Sequence, residues 1–130
     1  MTSGIKPTDE CISVTADFYY RRLYGFVVFK IDYLHKPEII EVHYKAPVGE
    51  DVFEYVLTKK AKSPFYIIFE YKNKIFFLIL VKDEDTVKEK MLYSSTSKDF
   101  LTKLNVSAII LEVKEIEDFT REFVESKIKK

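Results

Sequence analysis

The chain has 130 residues, of which 47% are hydrophobic, 15% are aromatic and three are glycine. This composition predicts one compact domain with a single core and excludes a disordered or low-complexity chain. The 21 basic and 21 acidic residues cancel, so no global field attracts the protein to nucleic acid or to an acidic membrane, and any electrostatic binding must come from local patches.

The single cysteine and the apolar runs indicate the compartment. Cys11 cannot form an internal disulfide, and its position between Glu10 and Ile12 predicts a buried helical thiol. The N-terminus is polar where a secretory signal would be apolar, and the longest apolar runs are too short to cross a bilayer. We therefore expect a soluble protein of the cytoplasm.

The predicted elements are arranged in the order helix, strand, strand, helix, strand, strand, helix, strand, helix. Their predicted ranges are 9–22, 25–33, 38–45, 52–61, 65–71, 74–81, 87–104, 108–113 and 116–128. Thr8 has the residue type and position of a cap for the first helix, whereas Lys72 and Asn73 form a very tight turn between the two strands on either side of them. The two strands joined by that turn are apolar almost without alternation, so we expect helices on both faces of the sheet. The order predicts an α/β sandwich around a mixed sheet of five strands.

The helix predicted over 87–104 has an unusual outer face. Thr86 and Glu89 have the spacing of a capping box, which places the helix start near Val87. At about 100° per residue, one stripe faces the core and consists of Tyr93, Ser97, Phe100, Leu101 and Leu104. The opposite face consists of Lys88, Met91, Ser95, Lys98 and Thr102. A flexible methionine there is a candidate partner contact, although single exposed apolar residues are common, and periodicity alone leaves that alternative open.

Two motifs carry a resemblance to a known family. The stretch "KEKMLYSSTSKDFLTKL" (88–104) resembles the long actin-binding helix of the actin-depolymerising factor (ADF) and cofilin family, whose hallmark is a basic residue, any residue, Lys, Met, an aliphatic residue and Tyr. The start "SGIKPTDEC" (3–11) resembles the family's opening, in which Ser-Gly and an aliphatic residue precede Asp, Glu and Cys. The order of elements agrees over essentially the whole chain. The resemblance implies one ADF-homology domain over 1–130, with a mixed sheet between helices and a flexible tail over 1–7.

The resemblance implies a protein that binds actin monomers, prefers the ADP form, and promotes filament disassembly and actin turnover. The implied monomer-binding residues are Ser3, Gly4, Ile5 and Lys6 in the N-terminal segment, and Lys88, Lys90, Met91 and Leu92, with Ser95 nearby, on the helix. In this mode, Met91 and Leu92 would enter an apolar cleft on actin while the lysines pair with acidic groups at its rim. Phosphorylation of Ser3 is expected to inhibit binding, because the added charge would have to be desolvated against the partner.

The sequence departs from the family pattern in two places. Between Tyr93 and Lys98 the chain has one residue more than the family motif, which rotates the later residues of the helix unless the helix bulges or bends. No role is therefore transferred to Lys98 or Asp99.

The second departure concerns the filament. Many members hold a second actin subunit with a long basic hairpin and the last helix, whereas this hairpin contains only residues 71–74. It resembles the short hairpins of parasite members, which act mainly on monomers, and weak filament binding is expected. The candidate filament contacts are Lys72, Lys74, Glu117, Arg121 and Lys127.

Other functions have less support in the sequence. No glycine-rich phosphate loop or nucleophile elbow is present, and His35 and His43 have no matching acid or metal-ligand spacing, so we expect no enzyme, metal or cofactor. The aromatic and lysine stretch over 66–77 is better explained by the core than by nucleic-acid binding. The alternative function is that of a glia-maturation-factor-like binder of the filament-branching complex, against which the Lys-Met helix and the Ser3 tail argue. The expected partner is actin, phosphoinositides are a further candidate, and the chain is expected to be a monomer associated with the cytoskeleton.

Overall fold

The computed structural model describes residues 5–128. Its strands are β1 (Lys6–Pro7), β2 (Tyr24–Asp32), β3 (Ile39–Pro47), β4 (Phe65–Tyr71), β5 (Lys74–Leu80) and β6 (Ile109–Val113). Its helices are α1 (Asp9–Tyr20), α2 (Val52–Leu57), α3 (Val87–Leu104) and α4 (Arg121–Ile128), and a 3₁₀ turn spans Ile116–Asp118.

The strands form one mixed sheet in the order β1-β3-β2-β4-β5-β6. The β1–β3 and β5–β6 pairs are parallel, and the remaining neighbours are antiparallel. Helices α1 and α3 pack on one face, and α2 and α4 pack on the other, so each face has its own apolar core. This arrangement confirms the predicted α/β sandwich and explains the continuous apolar character of β4 and β5, since alternate residues of both strands enter different cores.

A bulge in β3 lets that strand contribute to both cores. Val28 pairs with Tyr44, but the next residue of β2, Phe29, pairs with Val42, which leaves His43 as the extra residue. Tyr44 therefore packs against the core under α2 and α4, whereas Val42 packs against the core under α1 and α3. His43 itself is exposed.

The N-terminal segment differs from the prediction. The expected flexible tail includes residues 5–7, yet Ile5 is only 5% exposed in the core under α1 and α3. Lys6 and Pro7 form β1, a sixth strand at the edge of the sheet. A strand of two residues has no periodicity of its own, and it is held by burial of Ile5 and by pairing with β3, which local sequence patterns do not reveal.

Three helices are also shorter than predicted. Helix α1 ends at Tyr20 instead of residue 22. Helix α2 ends at Leu57 instead of residue 61, and two residues later Lys59 adopts a left-handed conformation with φ of 60°. The helix predicted over 116–128 is divided at Phe119, whose ψ of 87° is not helical. The Thr120 hydroxyl then accepts a hydrogen bond from the Phe123 amide (3.1 Å) and begins α4.

The β4–β5 turn is as tight as predicted. Lys72 and Asn73 both have positive φ, 51° and 66°, which is typical of a two-residue type I′ hairpin. The short turn keeps this hairpin close to the body of the protein, where the Lys72 ammonium lies 3.1 Å from the Glu125 carboxylate of α4.

Candidate functional site

Helix α3 has well-defined ends. The Thr86 hydroxyl accepts a hydrogen bond from the Glu89 amide, and the Glu89 carboxylate accepts one from the Thr86 amide, each at 3.1 Å. This is the predicted capping box. At the other end, Asn105 adopts a left-handed conformation with φ of 61°, and its amide donates to the carbonyl of Leu101 (3.1 Å). The helix therefore presents its side chains from a backbone with both ends fixed.

The two faces of α3 are those predicted from periodicity. The core stripe is buried, and it comprises Tyr93, Ser97, Phe100, Leu101 and Leu104. The outer residues are exposed, and they are Lys88, Met91, Ser95, Lys98 and Thr102. Met91 is 66% exposed, which confirms its predicted position on the outer face.

Two buried tyrosines fix α3 on the sheet. Tyr93 is completely buried, and its hydroxyl accepts a hydrogen bond from the amide of Ile31 in β2 (2.8 Å). Tyr66 of β4 donates its hydroxyl to the carbonyl of Tyr93 (2.6 Å). Burial raises the pKa of Tyr93 to about 12, so its hydroxyl stays protonated beyond the pH at which an exposed tyrosine ionises. Because both bonds reach α3 from the sheet, they restrain its rotation and keep Met91 on the outer face.

The residues that flank Met91 are partly covered. Leu92 packs against the core under α1 and α3, and Lys90 is half-buried. Lys90 lines a groove of about 250 Å³ beside α3, together with Ser94 and Glu112. Lys88 and Met91 therefore form the centre of the outer face, with Lys90 and Leu92 at its margins.

The N-terminal segment lies beside this helix. Strand β1 contacts α3, and Lys6 within it is exposed, whereas Ile5 is buried. Lys6 pairs with Ile39, whose neighbour Ile40 enters the core under α1 and α3, so the Lys6 side chain points away from that core at the edge of the sheet. Ile5 has the position of a core anchor. Ser3 and Gly4 lie outside the described residues.

The extra residue of the "YSSTSKD" stretch is accommodated in a continuous α-helix from Val87 to Leu104. Thr96 and Ser97 are buried, and the Ser97 hydroxyl donates to the carbonyl of Ser94 (3.0 Å). Asp99 forms an ion pair with Lys103 one turn later, with 2.8 Å between Oδ2 and Nζ. Asp99 thus has a partner within the helix, in keeping with the absence of any role transferred to it.

The predicted filament residues lie in the hairpin and in the C-terminal region. Lys72 pairs with Glu125, whereas Lys74 and Glu117 are exposed. Arg121 pairs with Asp51 (2.7 Å) and lies over the ring of Phe53 at 4.7 Å. Lys127 lies over the ring of Phe123 at 5.1 Å.

Two of these candidates therefore already have partners within the protein, since Lys72 pairs across to α4 and Arg121 pairs with the capping residue of α2. Their side chains remain more than half exposed.

The remaining reactive groups point to structural roles. Cys11 is buried, its thiol donates to the carbonyl of Ile40 (3.3 Å), and burial raises its pKa, as expected for a buried helical thiol. Between residues 5 and 128, no three His, Cys, Asp or Glu side chains are grouped so that they could hold a metal ion. Over the same range, no helix has the length and apolar character needed to span a membrane.

The mixed sheet between two helix layers, with a long capped helix on one face and β1 at its edge, defines a cofilin-like ADF-homology domain. Residues 4–129 match the family of cofilin/tropomyosin-type actin-binding proteins, and the chain belongs to this family. Actin-depolymerizing factor 7 of Oryza sativa subsp. japonica is 31% identical over 115 residues, which cover 79% of each protein. These findings confirm the family resemblance of the two sequence motifs.

Solved structures agree with this assignment. The ADF of Toxoplasma gondii is 26% identical with a TM-score of 0.70, and the match covers 92% of this chain and 98% of that one. The glia maturation factor of Caenorhabditis elegans has a TM-score of 0.76 over 98% and 99% of the two chains, but it is only 16% identical. The second likeness shows a shared fold alone.

Proposed function

We propose that this chain binds actin monomers through the outer face of α3 and the N-terminal segment, prefers the ADP form, and promotes filament disassembly and actin turnover. Membership of the family supports actin as the partner. The observation that carries the proposed site is Met91, which is 66% exposed on a helix with both ends capped. A large apolar side chain held outward between lysines fits a contact with an apolar cleft.

The side chains around Met91 take different parts in the proposed contact. Burial of Met91 in the partner would contribute roughly 1–3 kcal/mol, and the half-buried Leu92 would extend the apolar contact at its margin. Lys88 and Lys90 would pair with acidic groups at the rim and mainly affect the association rate and its salt dependence. Ser95 lies one turn after Met91 and would contact the same partner surface.

The N-terminal segment would complete the monomer site. Lys6 is exposed on a strand that contacts α3, and from the edge of the sheet it would add a positive charge beside the α3 face. Ile5, being buried, would position the segment through the core, and Ser3 and Gly4 would contact actin. Phosphorylation of Ser3 would oppose binding by adding a charge of about −1.5 to −2 that must be desolvated.

Filament binding is proposed to be weak. The two-residue turn between β4 and β5 gives the hairpin little reach, and Lys72 and Arg121 have partners within the protein. Lys74, Glu117 and Lys127 remain as exposed candidates for a limited contact with a filament. We infer a monomeric protein of the cytoplasm that associates with the cytoskeleton through actin.

The double substitution Lys88→Ala with Lys90→Ala tests the monomer site. We expect binding to fluorescently labelled ADP-actin monomers to weaken at least about tenfold, since two rim ion pairs are removed, while the melting temperature stays unchanged. The matched control is Lys59→Ala with Lys60→Ala, which removes two exposed lysines that come after α2. If the Lys88→Ala, Lys90→Ala variant binds monomers as tightly as the wild type and the control variant do, the proposed site is excluded.

Co-sedimentation with actin filaments separates the possible activities. We expect little pelleting of the wild-type protein under conditions in which it binds monomers, because the hairpin is short. Robust co-sedimentation would contradict this part of the proposal. Retention by an immobilised filament-branching complex, without monomer binding, would instead indicate the glia-maturation-factor-like function.

A further inference from the structure

A groove of about 360 Å³ lies between α2 and the segment that joins the 3₁₀ turn to α4. Four of its lining residues are apolar, namely Phe53, Leu57, Ile116 and Phe119. Its volume falls within the range of about 300–1,000 Å³ that is usual for binding pockets. We refer to it as the α2–α4 groove.

The break between the 3₁₀ turn and α4 builds this groove. Phe119 leaves the helical conformation and stacks on Phe53, with 4.8 Å between the ring centroids. This stacking joins the segment to α2 at one point and leaves Leu57, at the end of α2, 61% exposed. Phe119 is itself only 5% exposed and also packs on Phe69, so the accessible apolar wall of the groove consists of Leu57 and the partly exposed Phe53.

The rim of the α2–α4 groove is acidic, although the whole chain has no net charge. Four carboxylates and one cation line the groove. Arg121 pairs with Asp51, whose other oxygen accepts a hydrogen bond from the Phe53 amide (3.0 Å) and caps α2. The other three carboxylates are exposed and make no ion pair within residues 5–128. These three residues are Glu54, Glu117 and Glu122.

We propose that the α2–α4 groove binds a basic amphipathic segment of a partner protein. Apolar side chains of that segment would pack on Leu57 and on the accessible part of the Phe53 ring, and its lysines or arginines would face Glu54, Glu117 and Glu122. An amphipathic helix in an apolar groove is a common recognition mode, and complementary charge at the rim provides specificity and a faster association.

This site is separate from the proposed monomer site. Helices α2 and α4 pack on the face of the sheet opposite α3, so both surfaces can be occupied at once. The groove does share Glu117 and Arg121 with the predicted filament contacts. An actin filament is therefore the competing occupant of the groove, and the test must distinguish filament binding from binding of the basic segment.

The test uses a designed peptide of about five helical turns, with leucines on one face and lysines on the other, and with a fluorescein label. A second peptide keeps the leucines and replaces every lysine with glutamate. At physiological salt we expect the basic peptide to raise the fluorescence anisotropy on binding and the acidic peptide to give no change. In amide NMR spectra, the basic peptide should shift the resonances of α2 and of residues 116–122.

The variant Glu54→Gln with Glu117→Gln should weaken binding of the basic peptide about tenfold, because charge complementarity at the rim is lost. Leu57→Asp should abolish it. The matched control is Glu38→Gln with Glu84→Gln, which removes two carboxylates that do not line the groove. Peptide binding should also survive in the Lys88→Ala, Lys90→Ala variant, so failure of the monomer site and failure of this proposal are distinguishable.

Several outcomes would overturn the proposal. Equal binding of both peptides, unchanged affinity in the glutamine variant, or NMR shifts confined to α3 would each exclude a specific site in the groove. Absence of peptide binding, with filament co-sedimentation that depends on Glu54 and Glu117, would assign the groove to the filament. A dimer in sedimentation velocity that the same variant dissociates would assign it to a second copy of this chain.

Discussion

The strongest stability prediction concerns Tyr93→Phe, compared with Tyr66→Phe. Each change removes one buried hydroxyl and keeps the ring, so the apolar packing is preserved. The two changes differ in which backbone group loses its hydrogen-bond partner. Tyr93→Phe leaves the amide of Ile31 buried without its acceptor. Tyr66→Phe removes a donor from the Tyr93 carbonyl, which as part of a continuous helix also accepts from the amide of Ser97.

The expected magnitudes reflect this difference. An unsatisfied buried donor costs about 1–3 kcal/mol, whereas loss of one of two bonds to an acceptor costs about 0.5–1.5 kcal/mol. At roughly 4 °C per kcal/mol for a domain of this size, Tyr93→Phe should lower the melting temperature by roughly 4–12 °C and Tyr66→Phe by roughly 2–6 °C.

Thermal and urea unfolding, monitored by circular dichroism, measure both effects. An unchanged m-value would show that the denatured states are comparable. If Tyr66→Phe destabilises the protein as much as Tyr93→Phe or more, the unsatisfied Ile31 amide is not the larger of the two costs, and the reasoning is refuted.

Three further predictions concern the same framework. Thr86→Ala should cost about 1 kcal/mol by removing the cap of α3, and it should weaken monomer binding more than Thr86→Ser, as measured by urea unfolding and actin titration. Gly25→Ala should cost about 1–3 kcal/mol in the same unfolding assay, because its new Cβ would lie 2.9 Å from the carbonyl oxygen of Pro47. Stability should be fully present below the unfolded tyrosine pKa of about 10 and fall as pH rises towards 12, because folding raises the pKa of Tyr93 to about 12 and that of Tyr66 further. Urea midpoints between pH 8 and pH 12 measure this loss, and a constant midpoint would contradict it.

Local signals predicted α3 closely. A capping box and a helical stripe lie within the helix, so Thr86, Glu89 and the spacing from Tyr93 to Leu104 determine both its start and its buried face. Met91 could therefore be placed on the outer face before the fold was known. The family motif then indicated a function for this face, which periodicity alone left open.

Features that depend on distant contacts were not predictable in this way. Strand β1 exists because it pairs with β3, more than thirty residues later in the chain. The Ile31–Tyr93 hydrogen bond spans 62 residues. A signal for the tyrosine anchors was nevertheless present, since a tyrosine within a strand buried on both faces must find a partner for its hydroxyl.

The division of the last predicted helix has a local signal in the sequence. Thr120 is a good capping residue, and it lies in the middle of the range predicted as one helix. The apolar spacing of Ile116, Phe119 and Phe123 favours a continuous helix, but stacking of Phe119 on Phe53 competes with that continuation. Tertiary packing of an aromatic ring thus outweighed local helical periodicity, and this break produces the α2–α4 groove.

The two proposed surfaces differ in how they are held, and this difference has a consequence for binding. The α3 face is fixed before any partner arrives, by the capping box at its start and by Tyr93 and Tyr66 beneath it. Little backbone conformational entropy then remains to be lost on binding, which favours affinity from a small contact. The α2–α4 groove lies on the opposite side of the sheet from α3, and the apolar cores on the two sides are packed separately. Binding at one surface could change the affinity of the other only through a structural element that has two arrangements, whose equilibrium each partner shifts. Since the sheet between them is buried on both faces and fully paired in its central strands, we expect actin monomers and the basic peptide to bind with independent affinities.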